Sequence, residues 1–245
     1  MLNAKVRSET LKGIVDVVST LVDEAKFNVT ADKLTLKAVD PAHVAMVNLV
    51  VDKGAFEEYS AEDTELGVDL DKMKEVLRLA KAGDVLEITQ DEERNRLVIN
   101  VGNVTRRMNL VDTTGMSDPK VPNINLPAKV SVNSDELQKG IKAAESVSDH
   151  IALTASPDGF EMFSEGETDS VSLKLPKDLL VSLECKEKVR SLFPLDYFSN
   201  MVKAIPSGTV VTLSIGSDYP VKMEFTMADG KGTVDYLLAP RIESD

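Results

Sequence analysis

Leu70-Asp71-Lys72-Met73-Lys74-Glu75-Val76-Leu77-Arg78 and Leu195-Asp196-Tyr197-Phe198-Ser199-Asn200-Met201-Val202-Lys203 read as one segment written twice, offset by 195 − 70 = 125 residues. In each, apolar side chains recur at helical spacing: Leu70, Met73, Val76, Leu77 and Ala80 in the first, Phe198, Met201, Val202 and Ile205 in the second. The opposite stripe carries Lys74, Arg78 and Lys81 in one and Lys203 in the other. That periodicity predicts amphipathic helices over 71–81 and 196–203, with Gly83 and Gly208, again 125 apart, as stop signals. Working outward, Leu11, Ile14, Val15, Val18, Leu21, Val22 and Ala25 predict a helix over 9–26 with Lys12 on its outer stripe. Leu137, Ile141, Ala144 and Val147 repeat it over 135–149, behind an Asn133/Ser134 cap and with Lys139 and Lys142 outward. Strand patterns fill the intervals at 27–51, 85–89, 96–101, 104–110, 151–175, 210–215, 221–227 and 233–238. The chain therefore reads as α+β, built from two tandem similar domains.

Its 245 residues suffice for two domains that each bury a core. Helical and strand periodicity lapses only from Asp112 to Pro127, where three prolines fall. The expected organisation is an N-terminal domain at 1–111, a connector at 112–127 and a C-terminal domain at 128–245. One cysteine, Cys185, leaves no intrachain disulfide and no thiolate metal cluster. Met1 to Thr10 lacks the apolar core of a signal peptide, and no run approaches the ~18 apolar residues of a membrane span. A soluble protein of the cytoplasm is expected, nuclear if the cell is eukaryotic. The formal charge of −13, from 41 acidic against 28 basic residues, argues against a simple basic nucleic-acid binder. Together with 4% aromatic residues and no tryptophan, it suits a salt-rich, halophilic cell interior.

Phosphate loops, dinucleotide fingerprints, zinc-protease motifs and nucleophile elbows are all missing from the sequence. His43 and His150 are the only histidines, so acid–base chemistry would fall to carboxylates whose spacing singles out no pair and no metal site. The expectation is a non-enzyme with no metal and no cofactor.

Several motifs in order carry a resemblance: Ala38-Val39-Asp40-Pro41-Ala42-His43-Val44-Ala45-Met46, Gly67-Val68-Asp69-Leu70 before the second helix, Ser217-Asp218-Tyr219-Pro220, and Leu237-Leu238-Ala239-Pro240-Arg241-Ile242. With the duplicated layout they make the chain resemble, over its whole length, the archaeal and eukaryotic sliding clamps of the proliferating cell nuclear antigen family. The resemblance implies the DNA clamp fold, with helices on one side and antiparallel sheets on the other, closing as a homotrimeric ring around duplex DNA. It implies that Lys12, Lys74, Arg78, Lys81, Lys139, Lys142 and Lys203 face phosphates. It also implies that DNA polymerase, clamp loader, flap endonuclease and DNA ligase dock through short peptide motifs. Their site would draw on Val39, His43, Val44 and Met46, on Val121, Pro122 and Leu126, on Tyr219 and Pro220, and on Ala239, Pro240, Arg241 and Ile242. Subunits would meet edge to edge, Val104, Arg106, Arg107 and Met108 against Asp169, Val171 and Leu173.

The predicted helices carry little of the positive charge such a ring would use. Counted over their expected bounds they sum to −2, with Ser19 and Glu75 standing where basic residues are expected. A ring retains DNA by enclosure, so weak contacts suffice, and in ~1 M salt the Debye length is only about 3 Å. Two other readings stay open: a subunit of a heteromeric checkpoint-type clamp, and an acidic adaptor that does not encircle DNA.

Overall fold

The computed structural model describes residues 1–242; positions 243–245, at the end of the expected C-terminal domain, lie outside the described residues. The first half runs β1 (Leu2–Arg7), α1 (Ser8–Ser19), β2 (Glu24–Val29), β3 (Lys33–Val39), β4 (Ala45–Asp52), a 3-10 turn (Lys53–Ala55), β5 (Glu58–Ala61), β6 (Thr64–Asp69), α2 (Leu70–Leu77), β7 (Val85–Asp91), β8 (Arg96–Val101) and β9 (Val104–Asn109). The second half repeats that order: β10 (Ala128–Asn133), α3 (Ser134–Ala144), β11 (His150–Ser156), β12 (Gly159–Glu165), β13 (Ser170–Pro176), a 3-10 turn (Lys177–Leu179), β14 (Ser182–Glu184), β15 (Val189–Pro194), α4 (Leu195–Lys203), β16 (Val210–Ile215), β17 (Val221–Met227) and β18 (Gly232–Leu238). No helix or strand lies between Asn109 and Ala128.

The chain divides into two compact units, one of residues 1–41, 47–121 and 226–234, the other of 42–46, 122–225 and 235 onward. The first carries an antiparallel sheet in the order β5-β1-β7-β8-β9 and the neighbouring strands β4-β3-β2-β6. The second carries a sheet in the order β13-β12-β11-β15 and the neighbouring strands β14-β10-β16-β17-β18. Within each unit the two helices pack on each other and against strands. Leu11, Ile14 and Val18 of α1 and Leu70, Met73 and Val76 of α2 are buried in the first unit; Leu137 and Ile141 of α3 and Phe198, Met201 and Val202 of α4 are buried in the second. Each such side chain contributes about 1.5–3 kcal/mol by leaving water.

The duplication extends to the hydrogen bonds that clip each helix pair together. The Ser8 hydroxyl donates to the Lys81 carbonyl at 2.8 Å, as the Ser134 hydroxyl does to Pro206 at 3.0 Å. The Ser8 amide donates to the Asp84 carbonyl at 2.8 Å, and the Ser134 amide to Thr209 at 2.8 Å. The Glu9 carboxylate accepts from the Gly83 amide and Asp135 from the Gly208 amide. Gly83 and Gly208 have φ of 86° and 77°, a left-handed backbone that favours glycine. They do not stop the helices, as the sequence predicted; they form the turns into β7 and β16.

Three helices are shorter than their periodicity suggested. α1 ends at Ser19, where the Ser19 and Thr20 hydroxyls return to the Asp16 and Val17 carbonyls, and Leu21 closes a tight turn on Val18. Lys26 thus lies on β2, paired with Glu65. α2 ends at Leu77, so Arg78 is its C-cap and Lys81 stands in the following turn. α3 ends at Ala144, with the Val147 and Ser148 amides both donating to its carbonyl. β1, β5, β6, β10, β14 and β15 went unpredicted.

Candidate nucleic-acid interface and partner site

The seven cations expected on the helices fall into two groups. Lys12 pairs with Asp16 one turn along α1, Lys74 with Asp71 at 3.2 Å, and Lys203 with Glu145 at 2.7 Å. Arg78, Lys81, Lys139 and Lys142 are exposed and make no ion pair among the described residues. Within the observed bounds, α1 holds Lys12 against Glu9 and Asp16, and α2 holds Lys72 and Lys74 against Asp71 and Glu75. α3 holds Lys139 and Lys142 against Asp135 and Glu136, and α4 holds Lys203 against Asp196. The sum is −1, close to the −2 expected, so these faces are nearly neutral.

Glu145, just past α3, joins the helix pair of the second unit: its carboxylate accepts from the Lys203 ammonium at 2.7 Å and the Ser199 hydroxyl at 2.8 Å. Those bonds, Lys203 first, hold its carboxyl below the usual glutamate range. The sequence reading missed this residue; the signal available was an acid placed among lysines on the third helix's polar stripe. Asp69 caps α2 by accepting the Lys72 amide at 3.0 Å, and that bond together with the Lys72 ammonium lowers its carboxyl too.

β9 and β13 each end a sheet. β9 pairs only with β8, and β13 only with β12. Val104 is exposed, as are Arg106 and Arg107, while Met108 is buried and faces the core. Arg106 reaches Glu75 of α2 at 3.3 Å within the same unit. On the other edge, Asp169 is exposed in the turn before β13, its carbonyl accepting from the Gly166 amide. A Cβ added at Gly140 of α3 would touch Leu173 at 3.0 Å, so Leu173 points inward beneath α3, and Val171, two residues away, shares that face. Of the residues expected at a subunit contact, Met108 is buried, Val171 and Leu173 are half-buried, and Val104, Arg106, Arg107 and Asp169 are exposed.

The residues expected to bind partner peptides divide similarly. Met46 and Leu126 are buried and Val39, Val44 and Val121 half-buried, whereas His43, Pro122, Tyr219, Arg241 and Ile242 are exposed, Ile242 at 77% and Tyr219 at 59%. In the second unit the Ala239 amide donates to the Val44 carbonyl at 2.8 Å, which fixes the segment Ala239-Pro240 beside the His43 turn. His43 takes a left-handed φ of 58°. The Arg241 amide donates to Leu192 of β15 at 2.6 Å. The Tyr219 amide donates to the hydroxyl of Ser191, one residue earlier in β15, at 3.3 Å. Pro220 is half-buried beside it. In the first unit, the start of the segment after β9 is pinned to β6: the Val111 amide donates to the Gly67 carbonyl at 2.9 Å, and Thr113 to Glu65 at 3.3 Å. Lys37 and Asp118 lie 3.9 Å apart.

Among the described residues no cluster of three His, Cys, Asp or Glu side chains is placed to hold a metal ion, and no helix is long and apolar enough to cross a membrane.

Comparison with known proteins agrees with this geometry. Residues 1–116 match the family described as proliferating cell nuclear antigen, N-terminal domain, and residues 120–241 match its C-terminal domain. The DNA polymerase sliding clamp of Methanocella arvoryzae is 44% identical over 246 residues, covering 100% of both chains. That of Natronomonas pharaonis is 40% identical over 248 residues with the same coverage. The structure of A. fulgidus PCNA bound to the C-terminal region of FEN-1 superposes with a TM-score of 0.94 at 32% identity, covering 100% of each chain. The chain belongs to the proliferating cell nuclear antigen family of DNA polymerase sliding clamps.

Proposed function

We propose that three copies of this chain close into a ring around duplex DNA, β9 of one protomer pairing with β13 of the next, and that the ring tethers replication and repair proteins to the template. The observation that carries this reading is a subunit written twice in which two of the sheet-ending strands carry opposite charge: β9 bears Arg106 and Arg107, and β13 is preceded by Glu165, Glu167 and Asp169. Open edges with unspent backbone donors and acceptors invite another strand, and opposite charges select the partner edge. Each protomer then supplies two helix pairs to the inner wall, and Arg78, Lys81, Lys139 and Lys142, whose side chains make no ion pair among the described residues, make the phosphate contacts. The domains span 1–111 and 128–245 and residues 112–127 connect them.

The segment from Ala239 to Ile242, with His43, Val44, Tyr219 and Pro220, receives short peptides of DNA polymerase, clamp loader, flap endonuclease and DNA ligase. The A. fulgidus relative solved with a FEN-1 peptide supports this reading. The protein acts as a scaffold without chemistry of its own, in the compartment that holds the chromosome, which in an archaeal cell is the cytoplasm. Sedimentation equilibrium tests the ring: a particle of three times the chain mass is expected. A particle that stays monomeric from low to molar salt would refute the homotrimer and favour a heteromeric ring.

A further inference from the structure

Tyr219 differs from Tyr59 in a way that points outward. The Tyr59 hydroxyl donates to the Thr30 carbonyl at 2.8 Å, and burial, with Asp32 nearby, pushes that phenol up to about 12. Tyr219 is 59% exposed, and its hydroxyl has no partner among the described residues. Yet its backbone is firmly held. The buried Ser191 hydroxyl donates to the Gly216 carbonyl at 2.7 Å and accepts from the Tyr219 amide, closing a clasp across the turn between β16 and β17. Asp218 completes the turn with a left-handed φ of 57°. Gly216 is the floor: a Cβ there would meet Leu126 at 3.1 Å and the Tyr219 side chain at 3.3 Å, so the ring lies against the glycine. Ser191 is 1% exposed and spends its one hydroxyl on this turn.

We propose that the Ser191–Gly216 clasp presents the Tyr219 phenol as a hydrogen-bonding specificity element of the partner-peptide site, selecting peptides that set a polar group beside their apolar anchors. This rests on the docking reading above. Val44, Pro220, Ala239, Pro240 and Ile242, placed there too, have apolar side chains, so the phenol, with His43 and Arg241, is one of the few directional polar groups of that surface. An unmatched partner leaves that group buried without a bond, which discriminates more strongly than loss of apolar contact does. Ser191 acts as a positioning residue, through the turn.

The test uses the full-length protein and a fluorescent peptide of the A. fulgidus FEN-1 C-terminal region, read by anisotropy. Tyr219→Phe, which keeps the ring, is expected to weaken binding about fivefold, the range of one hydrogen bond. Ser191→Ala is expected to weaken it about threefold with Tyr219 present and not at all in a Tyr219→Ala background, a coupling that a merely structural role would not give. Wild-type affinity in Tyr219→Phe overturns the hydroxyl's role while leaving the docking reading intact, and equal effects of Ser191→Ala in both backgrounds overturn the positioning role. Wild-type affinity in Tyr219→Ala, or no binding by the wild-type protein, overturns the docking reading and the proposal with it.

Discussion

Replacing Gly67 by alanine isolates the contact between β6 and the segment that leaves β9. A Cβ at this position would stand 2.2 Å from the Val111 carbonyl oxygen, 2.9 Å from Val111 Cγ2 and 3.0 Å from Thr113 Cγ2. A carbon and an oxygen settle no closer than about 3.3 Å, so strand and segment must part by roughly 1 Å. The segment yields more readily, being half exposed, while β6 is paired with β2 along its length. Parting weakens the Val111-to-Gly67 hydrogen bond and the Thr113-to-Glu65 contact, each worth about 0.5–1.5 kcal/mol, and adds crowding of about 1–3 kcal/mol. Alanine recovers about 0.4–1 kcal/mol by restricting the unfolded chain. The net is about 2 kcal/mol, borne mostly by local detachment. Amide exchange at Val111 should accelerate roughly thirtyfold, since 1.4 kcal/mol is a factor of ten, with slow exchange retained in α1 and β8. Peptide affinity should fall as well, because Val121, Pro122 and Leu126 follow on the same segment. Unchanged protection at Val111 together with an unchanged urea midpoint would refute the steric argument.

Lys139→Ala combined with Lys142→Ala should leave the urea midpoint within about 0.5 kcal/mol of wild type, because both side chains are exposed and make no ion pair among the described residues. Clamp loading or polymerase processivity should fall modestly, and global unfolding would instead assign these lysines a structural role. The first unit holds an apolar pocket of about 60 Å³ lined by Ala4, Leu11, Ile14, Phe27, Leu66 and Met73 among others. The second copy carries Val130 where the first has Ala4, so Ala4→Val should stabilise by about 1 kcal/mol, from ~24 cal/mol per Å³ of cavity, and a lowered melting temperature would contradict that. The carboxyls of Glu9, Asp69 and Glu145 are held low, Glu9 by its own amide and that of Gly83. Groups with depressed folded values stabilise the protein above their unfolded values, and that stability is lost as pH falls through the folded ones. The urea midpoint should therefore be flat above about pH 5 and decline below about pH 4.5. A midpoint that rises on acidification would reverse the assignment.

The sequence foretold what repeats locally and missed what is settled across distance. The helix faces at 70–77 and 195–203 were readable because burial imposes a 3.6-residue period on Leu70, Met73 and Val76 and again on Phe198, Met201 and Val202. β1 was invisible: its buried residues Leu2, Ala4 and Val6 alternate with Asn3, Lys5 and Arg7, and the charged half of that pattern dominated the composition of the opening stretch. The first helix was overdrawn because Leu21 and Ala25 continue the apolar period into a turn and a strand that bury them equally well. The resemblance places Arg106 at a subunit edge, and its intrachain contact with Glu75, 31 residues earlier, gives no signal in sequence because folding alone brings the two together. Ser191 gave no signal at all, since a serine in a strand shows its role only when the Gly216–Tyr219 turn arrives beside it.

Enclosure is the claim on which the rest depends, and its most direct measurement is loader-dependent retention on nicked circular DNA before and after linearisation. A ring whose helix faces sum to −1 should stay on the circle through a wash in molar salt and be lost within minutes once a cut provides ends. Equal retention on both templates, or release from the circle by salt alone, would contradict it and show that charge holds the DNA.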